Sequence, residues 1–224
     1  MKYLVEHGAN IHKEDNDGVT VLSLACWSEN LNSIKYLVGL GLDINKENHN
    51  GYTPLFNACE EGHINIVKYL VGLGADINKE SNNGTTVLKE ACLSENLNLV
   101  KYLVEHGANI NKEDNDGSTP LFKACVKGHI TMVKYLVEHE ANMNQEDNNG
   151  ATPLHIACQE GHINVVKYLV EHGADINKDN NNYCTLLFKA CKEGDITVVK
   201  YLIEHGVNIN EENYDGCNPI VYCM

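Results

Sequence analysis

Residues 150–177 read GATPLHIACQEGHINVVKYLVEHGADIN, and the rest of the chain repeats this stretch with few changes. Its opening glycine recurs every 33 residues, from Gly18 through Gly51 to Gly150, and its Lys-Tyr-Leu motif keeps the same spacing. A fixed period in this range indicates a stacked array of short units rather than a globule built around one pocket.

Each repeat carries the start and stop signals of two short helices. In residues 48–80 an Asn-Gly turn precedes Thr53, an N-cap residue, and Pro54, which suits the first helical position. Gly62 is expected to end this helix in a left-handed conformation, and His63 opens a second, amphipathic helix that Gly74 terminates. Neither helix can bury its apolar stripe alone, so we expect neighbouring copies to stack into one elongated solenoid.

The period divides the chain into six complete repeats between two partial ones. The predicted units are 1–14 (partial), 15–47, 48–80, 81–113, 114–146, 147–179, 180–212 and 213–224 (partial). Terminal repeats normally have a polar outer face, whereas apolar residues such as Leu4 and Val221 lie near the ends of this chain. We therefore expect a fragment of a longer protein. A monomer is expected, although such apolar ends could stack end to end.

The repeat closely resembles the ankyrin repeat. Thr152-Pro153-Leu154, Gly161-His162 and Gly173-Ala174-Asp175 carry the resemblance, which extends over the whole chain. It implies an all-α repeat solenoid of helix-turn-helix units with β-hairpin-like fingers and a concave groove. It also implies a protein–protein interaction role without enzymatic activity, in which partners contact the finger tips and the exposed side of the first helices.

Some copies depart from the pattern. Glu140 and Tyr183 stand where other copies have glycine, and a side chain in the left-handed region costs roughly 1 kcal/mol. After the Thr-Pro-Leu tripeptide the family usually has histidine, which only His155 retains, while Phe56 and Lys89 occupy this column in the second and third repeats. The sixth finger, around Tyr183, is the predicted irregular point.

The charge balance excludes one class of partner. The formal net charge is −14, and all 17 basic residues are lysine. Nucleic-acid binding needs a basic surface and is served best by arginine, so we predict no nucleic-acid partner. An acidic surface suits a basic protein segment, or it simply keeps the array in solution. No apolar run reaches the roughly 20 residues that span a bilayer, so no membrane insertion is expected.

Six cysteines occupy one column of the repeat. Equivalent residues of stacked helices lie about 8–10 Å apart, too far for a disulfide between neighbours or a shared zinc ion. We expect them to act as small buried apolar residues. Free thiols and the lack of a secretory signal predict a cytoplasmic or nuclear location. The column comprises Cys26, Cys59, Cys92, Cys125, Cys158 and Cys191.

No constellation of catalytic residues stands apart from the repeat pattern. There is no glycine-rich phosphate loop, no separate Ser/His/Asp set and no His-Glu-x-x-His. We predict no catalytic residue, no metal and no cofactor. Histidines that close the second helices should instead interact with the helix C-termini. These are His7, His106, His139, His172 and His205.

The partner-binding prediction combines the resemblance with residue type. Trp27, Leu93 and Val126 follow the Ala-Cys pair of their first helices, a column that faces solvent in the family. Aromatic residues are favoured at binding hot spots, so we predict a Trp27–Leu93–Val126 strip extended by Tyr52. On the fingers, His49 and Tyr183 are further candidates.

Three functional hypotheses remain open from the sequence. The first is an interaction scaffold, the second is the recognition module of a larger enzyme, channel or substrate receptor, and the third is a structural spacer without a specific ligand. Separately, a Leu-x5-Asp-Ile-Asn pattern resembles the target of asparaginyl hydroxylases in ankyrin repeats. This pattern ends at Asn45, Asn78 and Asn177.

Overall fold

A computed structural model describes residues 2–180, 185–213 and 216–222 of the chain. Over these residues the fold is all-helical, with short α-helices in pairs and no strand, which confirms the predicted fold class. The chain divides into two compact units at Asn115 and Asp116. No helix among the described residues is long and apolar enough to cross a membrane.

The first unit, residues 1–115, contains seven α-helices. They are α1 (Lys2–Glu6), α2 (Val21–Trp27), α3 (Leu31–Gly39), α4 (Pro54–Glu60), α5 (Ile64–Gly72), α6 (Val87–Ala91) and α7 (Leu97–Glu105). The first helices α2, α4 and α6 pack on one another in sequence, and each also packs on the second helix of its own repeat.

The second unit, residues 116–224, repeats this arrangement. It contains α8 (Pro120–Lys127), α9 (Ile130–Glu138), α10 (Pro153–Gln159), α11 (Ile163–Glu171), α12 (Leu186–Glu193), α13 (Ile196–Glu204) and a 3₁₀ turn (Pro219–Tyr222). Here α8, α10 and α12 are the first helices, and α10 contacts both of the others.

The predicted helix boundaries are confirmed in the second repeat. Thr53 is the N-cap of α4 in an extended conformation, with Pro54 at the first helical position. Gly62 follows the helix with φ of +75°, and His63 is the N-cap of α5. Local residue chemistry therefore determines where each short helix begins and ends.

The fingers are built from turns linked to one another by backbone hydrogen bonds. Asn48 Oδ1 accepts from the amides of Asn50 and Tyr52, which closes the turn, and the Asn82 amide donates to the Asn50 carbonyl at 2.9 Å. A Cβ added to Gly51 would lie 2.7 Å from Asn82 Oδ1. Glycine is thus required there both by its positive φ and by this close approach. The described residues include one isolated bridge, between Glu80 and Thr86.

The cysteine column lies in the core, and all but one of its members are thiols as predicted. Cys26, Cys59 and Cys92 in the first unit are buried and free, as are Cys125 and Cys158 in the second. The prediction that the whole column consists of free thiols is wrong at Cys191, which is buried but disulfide-bonded. Spacing between neighbouring copies excludes bonds only within the column, so it could not exclude a bond to an off-column cysteine. Cys184 and Cys223 lie outside the described residues.

Two glutamates adopt the left-handed conformation that the repeat normally assigns to glycine. Glu140 has φ of +68°, as its position predicted, and Glu29 has φ of +54°. Tyr183, the other predicted irregular position, lies outside the described residues.

Candidate partner-binding face

Trp27 is the largest apolar side chain exposed on a first helix of the first unit. It lies at the last position of α2 and is 48% exposed. Its indole Nε1 donates to Glu61 Oε1 of the next repeat, and its carbonyl oxygen lies 3.1 Å from His63 Nε2. Leu24, one turn earlier, is also 48% exposed. Trp27 is therefore held in a defined orientation while much of its ring faces solvent.

Tyr52 lies against a buried ring and a buried carboxylate. Its ring stacks on Phe56, with centroids 4.7 Å apart and an interplanar angle of 11°. Its hydroxyl donates to Glu90 Oε1 at 3.3 Å. Burial, and then the charge of Glu90, raise the pKa of Tyr52 to about 12. The hydroxyl is thus engaged by Glu90, and the side chain is only partly accessible.

Leu93 does not lie on a first helix as predicted. Helix α6 ends at Ala91, so Leu93 belongs to the following turn, where it is half-buried. After α6 the backbone tightens into i to i−3 hydrogen bonds, from the Leu93 amide to the Glu90 carbonyl at 2.9 Å and from the Ser94 amide to the Ala91 carbonyl at 3.2 Å. The Ser94 hydroxyl also donates to the Ala91 carbonyl, at 2.8 Å.

Two of the remaining predicted residues, Val126 and His49, lie within the described part of the chain. Val126 is 38% exposed and belongs to the second unit, where its carbonyl lies 3.0 Å from His162 Nε2. His49 is an exposed finger residue whose ring covers Gly18 and whose amide donates to Asp17. Tyr183 lies outside the described residues.

Sequence reasoning overlooked the carboxylates around Trp27. Glu60 and Glu61 end α4 and are both exposed, and Glu29 is exposed in the turn after α2. Partial burial, and then the neighbouring charge of Glu61, raise the pKa of Glu60. Glu60 occupies the same repeat column as Trp27 and Leu93, so the predicted apolar strip is interrupted by acid. A comparison of this column across the repeats would have revealed the interruption from the sequence alone.

Comparisons with known families cover the chain from end to end. Models of ankyrin repeats match residues 1–48, 40–114 and 107–180, and a second set matches residues 159–203 and 187–223. The chain belongs to the ankyrin repeat family. Among solved structures, it is similar to the ankyrin repeat domain of human ASB11, with a TM-score of 0.84 and 27% identity over 92% of each chain. A search of curated proteins found no match.

Membership in the ankyrin repeat family indicates a general role for the chain. Ankyrin repeats are protein–protein interaction modules, and their fold is typically non-catalytic. Among the residues that the structure describes, no group of three or more His, Cys, Asp or Glu side chains is placed to hold a metal ion. Burial raises the pKa of the Cys26 thiol to about 12 and also raises those of Cys59 and Cys92. These thiols are therefore poor nucleophiles and poor metal ligands.

The third ankyrin repeat has an ion pair where the family has histidine. Lys89 is 1% exposed, and its ammonium pairs with Asp114 Oδ2 in the next finger. Glu90 beside it is also buried and accepts the Tyr52 hydroxyl. In the fifth repeat His155 keeps the family residue, and its Nδ1 lies 2.9 Å from Thr152 Oγ1. The third and fifth repeats therefore place different chemical groups in the same buried column.

The first helices of the second unit carry cations instead of an acidic cluster. Lys127 ends α8, and Lys192 lies near the end of α12; both are exposed. Lys189 Nζ lies 2.9 Å from Gln159 Oε1, within hydrogen-bonding distance. Exposed acids are present too, among them Glu160 and Glu193. The acidic, tryptophan-containing surface is thus a property of the first unit.

Proposed function

We propose that this ankyrin repeat chain is a non-enzymatic interaction module that binds a basic protein segment through the first-helix face of its first unit. The face comprises Trp27, Leu24, Glu60 and Glu61, with Tyr52 at its finger side. The observation that carries the proposal is a half-exposed tryptophan whose indole is hydrogen-bonded to a carboxylate of the neighbouring repeat.

Charge favours a basic occupant. The exposed charged groups on α2, α4 and the turns that follow them are all carboxylates, those of Glu29, Glu60 and Glu61. The raised pKa of Glu60 reflects burial and repulsion between like charges. A lysine or arginine from a partner would relieve this repulsion and could also pack against the Trp27 ring, which attracts cations over its face. Complementary charge accelerates association and excludes acidic partners.

Preorganisation favours Trp27 as the main contact. Ordering a flexible side chain on binding costs about 0.5–1.5 kcal/mol. The Trp27 indole already has a hydrogen-bond partner in Glu61, so part of that cost is met in the free protein. Tyr52 should contribute less, because its hydroxyl is committed to Glu90. Leu93 should contribute little, since it lies in a turn and is half-buried.

Two alternatives use the same fold differently. As the recognition module of a larger enzyme, channel or substrate receptor, the chain would use the same face, and the chemistry would lie elsewhere. As a structural spacer it would have no specific ligand. The near-uniform fingers agree with the spacer, because their Asx side chains close turns in several copies, as Asp15, Asn48 and Asp147 do. The exposed Trp27 favours the interaction module.

The decisive experiment is selection of random displayed peptides on the native chain, with counter-selection on a Trp27→Ala variant. The retained peptides should be enriched in Lys and Arg, and each should bind the variant at least about thirtyfold more weakly, the loss typical of a hot spot. Gln159→Ala, in the same repeat column of the second unit, is the matched control and should leave affinity unchanged.

Circular dichroism must show equal helix content for the three proteins. If no peptide distinguishes native chain from Trp27→Ala, the first-helix face is not the binding site. If the distinguishing peptides are acidic, the proposed partner chemistry is wrong.

A further inference from the structure

The ends of the second helices differ sharply between repeats. Five of them end in Glu-His, and the histidine Nδ1 lies 2.7–2.8 Å from the tyrosine carbonyl four residues earlier. The imidazole also stacks on that tyrosine, with centroids 3.9–4.1 Å apart. This confirms the predicted local role of the histidines, which are His7, His106, His139, His172 and His205.

Helices α3 and α5 end instead in Gly-Leu. Gly39 and Gly72 replace the glutamate, and Leu40 and Leu73 replace the histidine. The two leucines are 41% and 46% exposed. Both helices lie in the first unit, in consecutive repeats. The protein therefore presents a pair of exposed leucines at a place where other repeats present charge and a ring.

The fold does not require glycine at these two positions. A Cβ added to Gly39 or Gly72 would meet nothing within 4 Å, and neither residue has a positive φ. Glycine inside a helix is destabilising relative to almost every other residue. No packing contact therefore explains the two glycines, although they make these helix ends less stable. Each glycine leaves a position without a side chain next to an exposed leucine.

The absence of glutamate at the ends of α3 and α5 also changes the local charge. In the Glu-His repeats a lysine stands four residues before the glutamate, as in the Lys2–Glu6 pair at 3.9 Å. Lys35 and Lys68 hold this position in α3 and α5, but their i+4 residues are Gly39 and Gly72. Both lysines are exposed, and their ammonium groups lie 5.7 and 5.4 Å from the tyrosine rings of the following repeats.

The first acid that follows each of these two helix ends accepts a hydrogen bond from a backbone amide. Asp43 Oδ1 accepts from the Asn45 amide, and Asp76 Oδ1 accepts from the Asn78 amide, each at 2.8 Å. These bonds close the turns that follow the two helices. Both carboxylates are exposed and keep their charge, while the two helix ends themselves present two exposed lysines and two exposed leucines.

We propose that Lys35, Gly39, Leu40, Lys68, Gly72 and Leu73 form a docking surface for an acidic, apolar peptide segment of a partner protein. Carboxylates of the partner take the place of the missing glutamates beside Lys35 and Lys68. Its apolar side chains pack on Leu40 and Leu73, and the two glycines let its backbone approach the helix ends closely. The surface uses second helices and selects the opposite charge from the first-helix face, so it is a separate site.

The test exploits the residues of the other repeats. A variant with Gly39→Glu, Leu40→His, Gly72→Glu and Leu73→His would give α3 and α5 the ends already present on α7. It should fold with an equal or higher urea midpoint, because glutamate is a better helix former than glycine. Loss of binding could then not be ascribed to unfolding.

Random displayed peptides would be selected on the native chain and counter-selected on this variant. The peptides lost should be rich in Asp, Glu and apolar residues, and should bind the variant at least about tenfold more weakly in fluorescence anisotropy. They should bind the Trp27→Ala protein as tightly as the native chain, which separates this surface from the first-helix face.

A Lys35→Gln/Lys68→Gln variant isolates the charge and should weaken the same peptides and flatten their salt dependence. The proposal is overturned if no peptide distinguishes the native chain from the four-residue variant, or if the distinguishing peptides are basic or uncharged. Binding of zwitterionic phosphatidylcholine vesicles in place of peptides would identify a lipid-contact surface and would also overturn it.

Discussion

The two units of this protein share one fold but differ in what lies on and beneath their first helices. In the first unit Trp27 lies at the exposed end of α2, Glu60 and Glu61 lie at the end of α4, and Lys89 of α6 forms a buried pair with Asp114. In the second unit α8 and α12 carry exposed lysines, and the column equivalent to Lys89 holds phenylalanine or histidine. Both units are built from the same repeat, so matched substitutions in one repeat column compare side chains at equivalent positions.

The largest effect should come from breaking the buried ion pair. Lys89→Met leaves the Asp114 carboxylate, whose side chain is 9% exposed, without its ammonium partner. Removing one member of a buried pair typically costs about 3–5 kcal/mol. Phe122→Met, in the same repeat column of the second unit, changes no charge and should cost about 1 kcal/mol. Urea unfolding followed by circular dichroism measures both.

The double variant Lys89→Met/Asp114→Asn completes this test. It removes both charges, so most of the lost stability should return. Equal costs for Lys89→Met and Phe122→Met would mean that the ion pair has no special importance in the first unit.

The second-largest effect, a change in binding affinity, should come from exchanging charge between the units. Glu60→Lys/Glu61→Lys gives α4 of the first unit the cationic character of the second unit's first helices. Affinity for a basic peptide selected on the native chain should fall at least about tenfold, and its decrease with added salt should disappear. Fluorescence anisotropy at two salt concentrations measures this. Gln159→Lys in the second unit is the control, and an equal effect there would refute the assignment to the first unit.

The stability of the first unit should decrease at alkaline pH because its core contains a titratable thiol. Burial raises the pKa of Cys26 from 9.0 to about 12. Above pH 9 the unfolded chain loses this proton and the folded chain does not, so stability is complete below pH 9 and falls between pH 9 and 12. Between pH 8 and pH 10, Cys26→Ala should reduce this fall by about 1 kcal/mol. Urea titrations at both pH values test it; parallel slopes for variant and native chain would contradict it.

The smallest effect concerns backbone strain, which each unit bears at one described glutamate. Glu140→Gly should stabilise the second unit by about 0.5–1 kcal/mol, because φ of +68° suits glycine better than glutamate. The reverse change, Gly107→Ala in the first unit, should destabilise by a similar amount. There φ is +90° and a Cβ would meet nothing within 4 Å, so strain is the only cost. Urea midpoints that do not move in opposite directions would contradict this.

Periodicity predicted most of the fold. The helix boundaries of the second repeat lie at the residues that local chemistry predicts, namely Thr53, Pro54, Gly62 and His63. Glu140 has the positive φ that its repeat column predicts. These features depend on residues close in sequence, or on a period that brings identical neighbours into contact. The fold class therefore required no knowledge of individual long-range contacts.

The candidate site was predicted only in part, because it depends on contacts that differ between copies. Trp27 was correctly expected to be exposed, but its hydrogen bond to Glu61 joins two repeats and has no periodic signal. Leu93 was predicted on a first helix, but α6 ends at Ala91. Lys89 was recognised as a departure from the family, yet nothing in the sequence pairs it with Asp114. The spacing of the cysteine column likewise did not predict the disulfide at Cys191.

The free thiols of the cysteine column have a practical consequence for dynamics. Each of Cys26, Cys59, Cys92, Cys125 and Cys158 is a single buried sulfur in its own repeat. A thiol reagent can modify such a sulfur only when that repeat opens, so labelling rates report local opening free energies position by position. The chain thus contains its own set of footprinting probes, and a bound partner should slow labelling most in the repeats it covers.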